Sequence, residues 1–142
     1  MHVALEEARL AASGGEVPVG AAVFRDGAMV ARAHNETVSR TDPTAHAELL
    51  VVQQALRALG TDRLIDCTLY VSLEPCAQCA GAIVLAKVGR LVFGAYDGKA
   101  GMCGSVGDLV RHPRLNHRPE VIGGVEQAVC EDLLREFFAS KR

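Results

Sequence analysis

Residues 68–79 read Thr-Leu-Tyr-Val-Ser-Leu-Glu-Pro-Cys-Ala-Gln-Cys. Residues 68–73 form a β-branched and aromatic run that predicts a strand. Pro75 suits the opening of a helix, which is expected to run through about Lys87 and stop before Gly89. Residues 90–95 (Arg-Leu-Val-Phe-Gly-Ala) predict the next strand. Strand, helix and strand in this order are the repeating unit of an α/β sheet.

The flanking segments extend the pattern. Residues 1–13 place Val3, Leu5, Ala8 and Leu10 among charged positions, as in an amphipathic helix ended by Ser13-Gly14-Gly15. Residues 18–25 and 28–34 predict two strands joined by Asp26-Gly27, a strong hairpin signal. Residues 44–59 carry apolar side chains at helical spacing and stop at Gly60. Beyond residue 95, the glycine-, histidine- and proline-rich 96–119 stretch predicts loop, with a short helix near 106–110. Val121-Ile122 suggests a short last strand. Glu126 to Phe138 predict a terminal helix with Val125, Val129, Leu133, Leu134 and Phe137 on its apolar stripe. The hairpin makes the expected sheet mixed, with helices on both faces.

Length and composition agree. A chain of 142 residues fits one domain over 1–142 and buries enough surface to need no disulfide. Apolar residues are 49% and charged residues 23%, which excludes a disordered chain. The net charge of −2 excludes nucleic-acid binding by bulk charge, though not a local basic patch. Aromatics are 4% and tryptophan is absent, against a broad stacking platform. The opening Met-His-Val-Ala-Leu-Glu-Glu gives no apolar signal run, and charges, glycines and prolines break every apolar stretch before membrane-spanning length. A cytoplasmic protein without membrane contact is expected. The five cysteines are then reduced thiols.

Chemistry concentrates in two segments at predicted helix starts: Thr44-Ala45-His46-Ala47-Glu48 and Glu74-Pro75-Cys76-Ala77-Gln78-Cys79. Cys76 and Cys79, three apart in a first helical turn, face nearly the same way. The positive helix terminus favours their thiolates. His46 completes an N/S₂ set that zinc accepts tetrahedrally, and three protein ligands leave one position for water, as in catalytic rather than structural sites. Glu48 lies two residues past His46, about 200° round a regular helix. Both reach one site only if His46 sits at the helix edge, the geometry expected here. Glu48 could then act as general acid and base. A redox CxxC is the competing reading, but it leaves His46 and Glu48 without a role.

An HxE segment followed by PCxxC is the known signature of zinc deaminases. Asp-Pro-Thr-Ala-His-Ala-Glu (42–48) and Leu-Tyr-Val-Ser-Leu-Glu-Pro-Cys-Ala-Gln-Cys-Ala-Gly-Ala (69–82) resemble the cytidine deaminase-like superfamily. Within it, the chain is similar to the bacterial tRNA-specific adenosine deaminases. The similarity runs on through Glu16-Val-Pro-Val-Gly20, Arg63-Leu-Ile-Asp66, Gly89-Arg-Leu-Val-Phe-Gly94, Leu115-Asn-His-Arg118 and Phe137-Phe138. His34 and Tyr96 depart from it, standing where some members have an aromatic residue and an arginine.

The resemblance implies a three-layer α/β/α fold with a five-stranded mixed sheet. It implies one Zn²⁺ per subunit on His46, Cys76 and Cys79, with Glu48 as proton shuttle. The implied reaction is deamination of adenosine to inosine at the wobble position (34) of a tRNA anticodon, by a homodimer. Asn35 aligns with a base-recognising asparagine, whose amide both donates and accepts. Its competing role is to satisfy the end of the second strand. Pro18, Ala47 and Leu73 match pocket-wall positions. Asp97 and Lys99 match positions near the RNA backbone. Arg111-His-Pro-Arg-Leu-Asn-His-Arg118 has no acid, which makes Arg111, Arg114 and Arg118 candidates for phosphate contacts with the anticodon stem-loop. Phe138, near Arg135, Lys141 and Arg142, is placed to flank loop bases, and Phe137 to anchor the last helix. Cys67, Cys103 and Cys130 read as small buried residues, Cys103 being the one whose loop could reach a metal. A free-base or nucleoside deaminase and a closed, non-catalytic zinc module remain as alternatives.

Overall fold

Pro18 has no N–H to give a sheet, and the first strand begins two residues later than the sequence predicts, at Gly20. The computed structural model describes residues 1–141; Arg142 lies outside the described residues. The elements are α1 (His2–Ser13), β1 (Gly20–Arg25), β2 (Ala28–His34), α2 (Ala47–Leu59), β3 (Cys67–Leu73), α3 (Ala77–Leu85), β4 (Arg90–Ala95), β5 (Glu120–Ile122) and α4 (Gln127–Ser140).

The strands form one five-stranded sheet in the order β2-β1-β3-β4-β5. β1 is antiparallel to β2 and β3, whereas β3, β4 and β5 run parallel. The expected mixed sheet is therefore present. Asp26 and Gly27 both take positive φ, 52° and 78°, as a two-residue hairpin turn matched to strand twist requires.

Helices cover both faces. On one, Leu50, Val51 and Ala55 of α2 and Ile83 and Val84 of α3 pack with Val23, Leu69, Val71, Leu91 and Phe93 of the sheet. On the other, Leu5 of α1 and Cys130 of α4 pack with Ala95, flanked by Val129 and Leu133. α1 lies so close to β1 that a Cβ on Gly20 would come within 2.1 Å of the Ala4 carbonyl oxygen. Cys67, Cys103 and Cys130 are buried free thiols, as expected.

Several boundaries move for local reasons. Asp42 accepts from the Thr44 N–H (2.9 Å) and hydroxyl (2.7 Å), and this turn delays α2 from residue 44 to Ala47. Lys87 takes φ 56°, which ends α3 early, at Leu85. The helix expected near 106–110 is absent; residues 101–109 form turns closed by a Cys103–Asp108 bridge. Glu126 sits in the left-handed region (φ 56°), so α4 starts one residue late, then continues to Ser140.

One buried acid joins the α1–β1 connection to the β2–α2 connection. Glu16 is buried and accepts from the N–H groups of Val38 (3.0 Å) and Ser39 (2.8 Å) and from the Thr37 hydroxyl (3.3 Å). Burial favours its neutral form, but these bonds outweigh burial and hold it below its ordinary value of 4.5. A depressed carboxylate contributes stability above the unfolded-state value and loses it as pH falls through the folded value. Glu16→Gln is therefore expected to cost about 2 kcal/mol at pH 7, with the gap to wild type closing below about pH 4. Urea unfolding at pH 7 and pH 3.5 measures this; a gap unchanged at low pH would contradict it.

Candidate active site

The topology gathers several segments at one end of the sheet. β3 and β4 are parallel, so the segments following Leu73 and Ala95 emerge together. β1 runs the other way, which brings its entry (Val17–Val19) and the exit of β2 (Asn35) to that same end. The N-termini of α2 and α3 complete it. This matches the general placement of ligand sites beyond strand carboxyl ends. The result is a cavity of about 240 Å³ lined by Val17, Val19, Asn35, Thr37, His46, Glu48, Leu73, Glu74, Cys76, Asp97 and Ala100.

At its floor, His46 Nδ1 lies 3.5 Å from Cys76 Sγ and 3.6 Å from Cys79 Sγ. Tetrahedral zinc, with bonds of about 2.3 Å to sulfur and 2.0–2.1 Å to nitrogen, requires S···N edges of about 3.6 Å. Both S···N edges therefore already have the length a zinc tetrahedron needs, and the three donor atoms, all within 4.8 Å of one another, form the one such group of potential ligands among the described residues. Cys103 is not part of it. His46 and Cys76 are the N-caps of α2 and α3, both in extended backbone (φ −80°, ψ 149° and φ −77°, ψ −178°). The expected edge position of His46 is thus what lets Glu48, in the first turn of α2, face the same cavity. Two helix N-termini point at the group and favour thiolates. Hydrogen bonds from Cys79 and His46 lower the Cys76 thiol, against the effect of burial. The bond to Cys76 raises His46. Burial, opposed by hydrogen bonding and by His46, pushes Glu48 up to about 7.

Asn35 holds the neighbouring backbone. Its Oδ1 accepts from the Ala47 N–H (2.9 Å) and its Nδ2 donates to the Val17 carbonyl (3.3 Å). One amide hydrogen and one lone pair remain for a ligand.

The MafB19-like deaminase family model matches residues 1–142. A tRNA-specific adenosine deaminase of Bacillus subtilis (strain 168) is 46% identical over 142 residues, which is all of this chain and 88% of that protein. This chain belongs to the tRNA-specific adenosine deaminase family. A structure from a study of A-to-I editing by tRNA:A34 deaminases at the wobble position of transfer RNA has a TM-score of 0.90 at 42% identity, covering 94% of this chain and 97% of that one. A guanine deaminase from Nitrosomonas europaea has a TM-score of 0.80 at 29% identity, covering 97% and 82%. The five-stranded α/β architecture of the deaminase fold is shared.

The remaining expected residues of this deaminase divide by position. Leu73 lines the cavity, whereas Pro18 is fully buried between the lining residues Val17 and Val19, and Ala47 is fully buried in the core. Asp97 lines the cavity, and its carboxylate accepts from the Lys99 (3.0 Å) and Ala100 (3.1 Å) N–H groups. A second groove of about 440 Å³ adjoins, sharing Val17, Leu73 and Asp97 and adding Tyr96, Gly98, Lys99, Leu134 and Phe138. Phe138 is half-exposed there and stands edge-on to Phe137. Arg111 donates to Asp108 (2.6 Å) and to the Cys103 carbonyl (3.3 Å). Arg118 donates to the carbonyls of Pro113 and Leu115. Arg114 is exposed.

Two residues of the site escape a sequence reading. Gln78, inside the CxxC, donates to the Thr44 carbonyl (3.0 Å) and so ties the two motif segments together. Glu74 is buried with its carboxylate fully used. Its position immediately before Pro-Cys was the one available signal.

Proposed function

We propose that this chain deaminates adenosine to inosine at the wobble position (34) of a tRNA anticodon. The observation that carries the reading is the His46, Cys76 and Cys79 group at zinc spacing, with Glu48 buried beside it. His46 Nδ1 and the two thiolates would hold one Zn²⁺ per subunit. Bound zinc supplies a Lewis acid that brings the pKa of a water near neutrality.

The chain's own groups do the rest. Glu48 takes a proton from the attacking water and returns it to a ring nitrogen, then carries the second proton, from the hydroxyl newly on C6, to the departing amine. Its burial favours a carboxyl that can exist in either protonation state near neutrality. Asn35 offers its remaining donor and acceptor to the purine edge. Leu73, together with Val17 and Val19, forms an apolar wall against the base, while Pro18 and Ala47 fix that wall from behind. Phe138 and Tyr96 receive neighbouring loop bases in the adjoining groove. Asp97 and Lys99 approach the RNA backbone at its rim, and Arg111, Arg114 and Arg118 meet phosphates. The whole chain acts as a single zinc deaminase domain, working as a cytoplasmic homodimer.

The test is inosine formation in an anticodon stem-loop with adenosine at the wobble position, using zinc-loaded protein. A control RNA has that adenosine moved by one nucleotide. Inosine in the first RNA alone is expected. The 0.80 TM-score to a guanine deaminase favours a second reading, deamination of a free purine. Ammonia from guanine but none from RNA would decide for it.

A further inference from the structure

Glu74 connects β3 to the first cysteine of the site and is 2% exposed. Its Oε1 accepts from the Asp97 N–H (3.0 Å) and the Ser105 hydroxyl, and its Oε2 from the N–H groups of Cys103 (3.0 Å) and Ser105 (3.1 Å). Four donors from one segment thus converge on one carboxylate, which offsets the cost of burying its charge. Gly101 lies against it so closely that a Cβ there would stand 2.4 Å from Glu74 Cδ. The Met102 N–H donates to the Pro75 carbonyl (2.9 Å), so residues 97–105 wrap around Glu74-Pro75. That segment has no helix or strand of its own. Asp97 and Ala100, at its start, nevertheless form one side of the catalytic cavity, and Asp97 also borders the adjoining groove.

We propose that Glu74 is a positioning residue: its carboxylate fastens residues 97–105 as a wall of the cavity and thereby sets how tightly the target nucleotide is held. The substrate part of this statement rests on the proposed deamination; the fastening does not. A glutamine at this position keeps the shape but turns one of the two acceptors into a donor facing N–H groups. The wall loosens while the three zinc-spaced donors, held by the N-termini of α2 and α3, stay in place.

The experiment compares zinc-loaded wild type, Glu74→Gln and the milder Ser105→Ala. It reads zinc content, hydrogen exchange at the Asp97, Cys103 and Ser105 amides, and kcat and KM on the stem-loop. Glu74→Gln is expected to keep one zinc per chain and to speed exchange at those amides about 10-fold or more. KM is expected to rise about 10-fold, with a smaller fall in kcat. Ser105→Ala is expected to move KM and exchange the same way by about 3-fold. Unchanged exchange, a kcat loss at constant KM, or activity lost in proportion to zinc overturns the proposal. Should Glu74→Gln fail to fold, Ser105→Ala decides alone, and wild-type behaviour in it overturns the proposal. Failure of wild type to make inosine sinks the deamination reading instead, and the exchange data still judge the fastening.

Discussion

Replacing Glu48 with glutamine is expected to leave one zinc per chain in place and to slow inosine formation by about 10²- to 10⁴-fold. The side chain is buried in the cavity floor, two residues beyond His46, so an isosteric amide fits the same space. Glutamine can neither accept the proton nor return it. It also removes a buried charge, so the melting temperature is expected not to fall. KM for the stem-loop should change little, because the loss concerns the transition state. Single-turnover rates with parallel metal analysis make the measurement. A variant with full metal and undiminished rate would remove Glu48 from the chemistry.

The second large effect concerns the metal group itself. Cys79→Ser is expected to leave far less than one zinc per chain and to abolish activity. The oxygen is a harder and weaker ligand than thiolate for zinc, and Cys79 is wholly buried, so no other donor can replace it. Zinc binds the native chain, so its loss also removes stability: about 4 kcal/mol where free metal is a thousandfold above the dissociation constant. Thermal unfolding with and without added zinc tests both parts. Wild type should stabilise with metal, the variant should not, and chelated wild type should resemble the variant. A metal-responsive Cys79→Ser protein would move the metal site elsewhere.

Both effects concern residues whose chemistry is written locally. His46, Glu48, Cys76 and Cys79 are legible because ligand types and spacing point to zinc before any fold is known. The strands are legible because their apolar runs end in strong turn signals such as Asp26-Gly27. What stayed hidden depends on distant partners. Glu16 and Glu74 look like ordinary surface acids; only folding brings backbone N–H groups from residues 38–39 and 97–105 to them. The absent 106–110 helix has the same origin: the Val106 and Leu109 N–H groups donate to the Gly101 and Met102 carbonyls and the Gly107 carbonyl accepts from the Gly104 N–H, so the groups a helix would pair internally are already taken. The left-handed Glu126 is invisible to propensity, which favours glycine or asparagine there. The sequence offers Asn35 as base-recognising or as finishing β2. Its amide also holds the first residue of α2, a bond that crosses 12 residues and follows from no local pattern.

The hairpin turn offers a practical handle. β1 leaves the catalytic end at Gly20 and reaches Asp26-Gly27 six residues later, about 20 Å away along the strand. Both turn residues are exposed and lie at the opposite end of the sheet from the cavity. Tight exposed tips of this kind accept inserted sequence more readily than any other part of a sheet. A dye or an immobilising peptide grafted there would leave the cavity end unobstructed, whereas one attached on the last turn of α4, beside Phe138 and its groove, would crowd it.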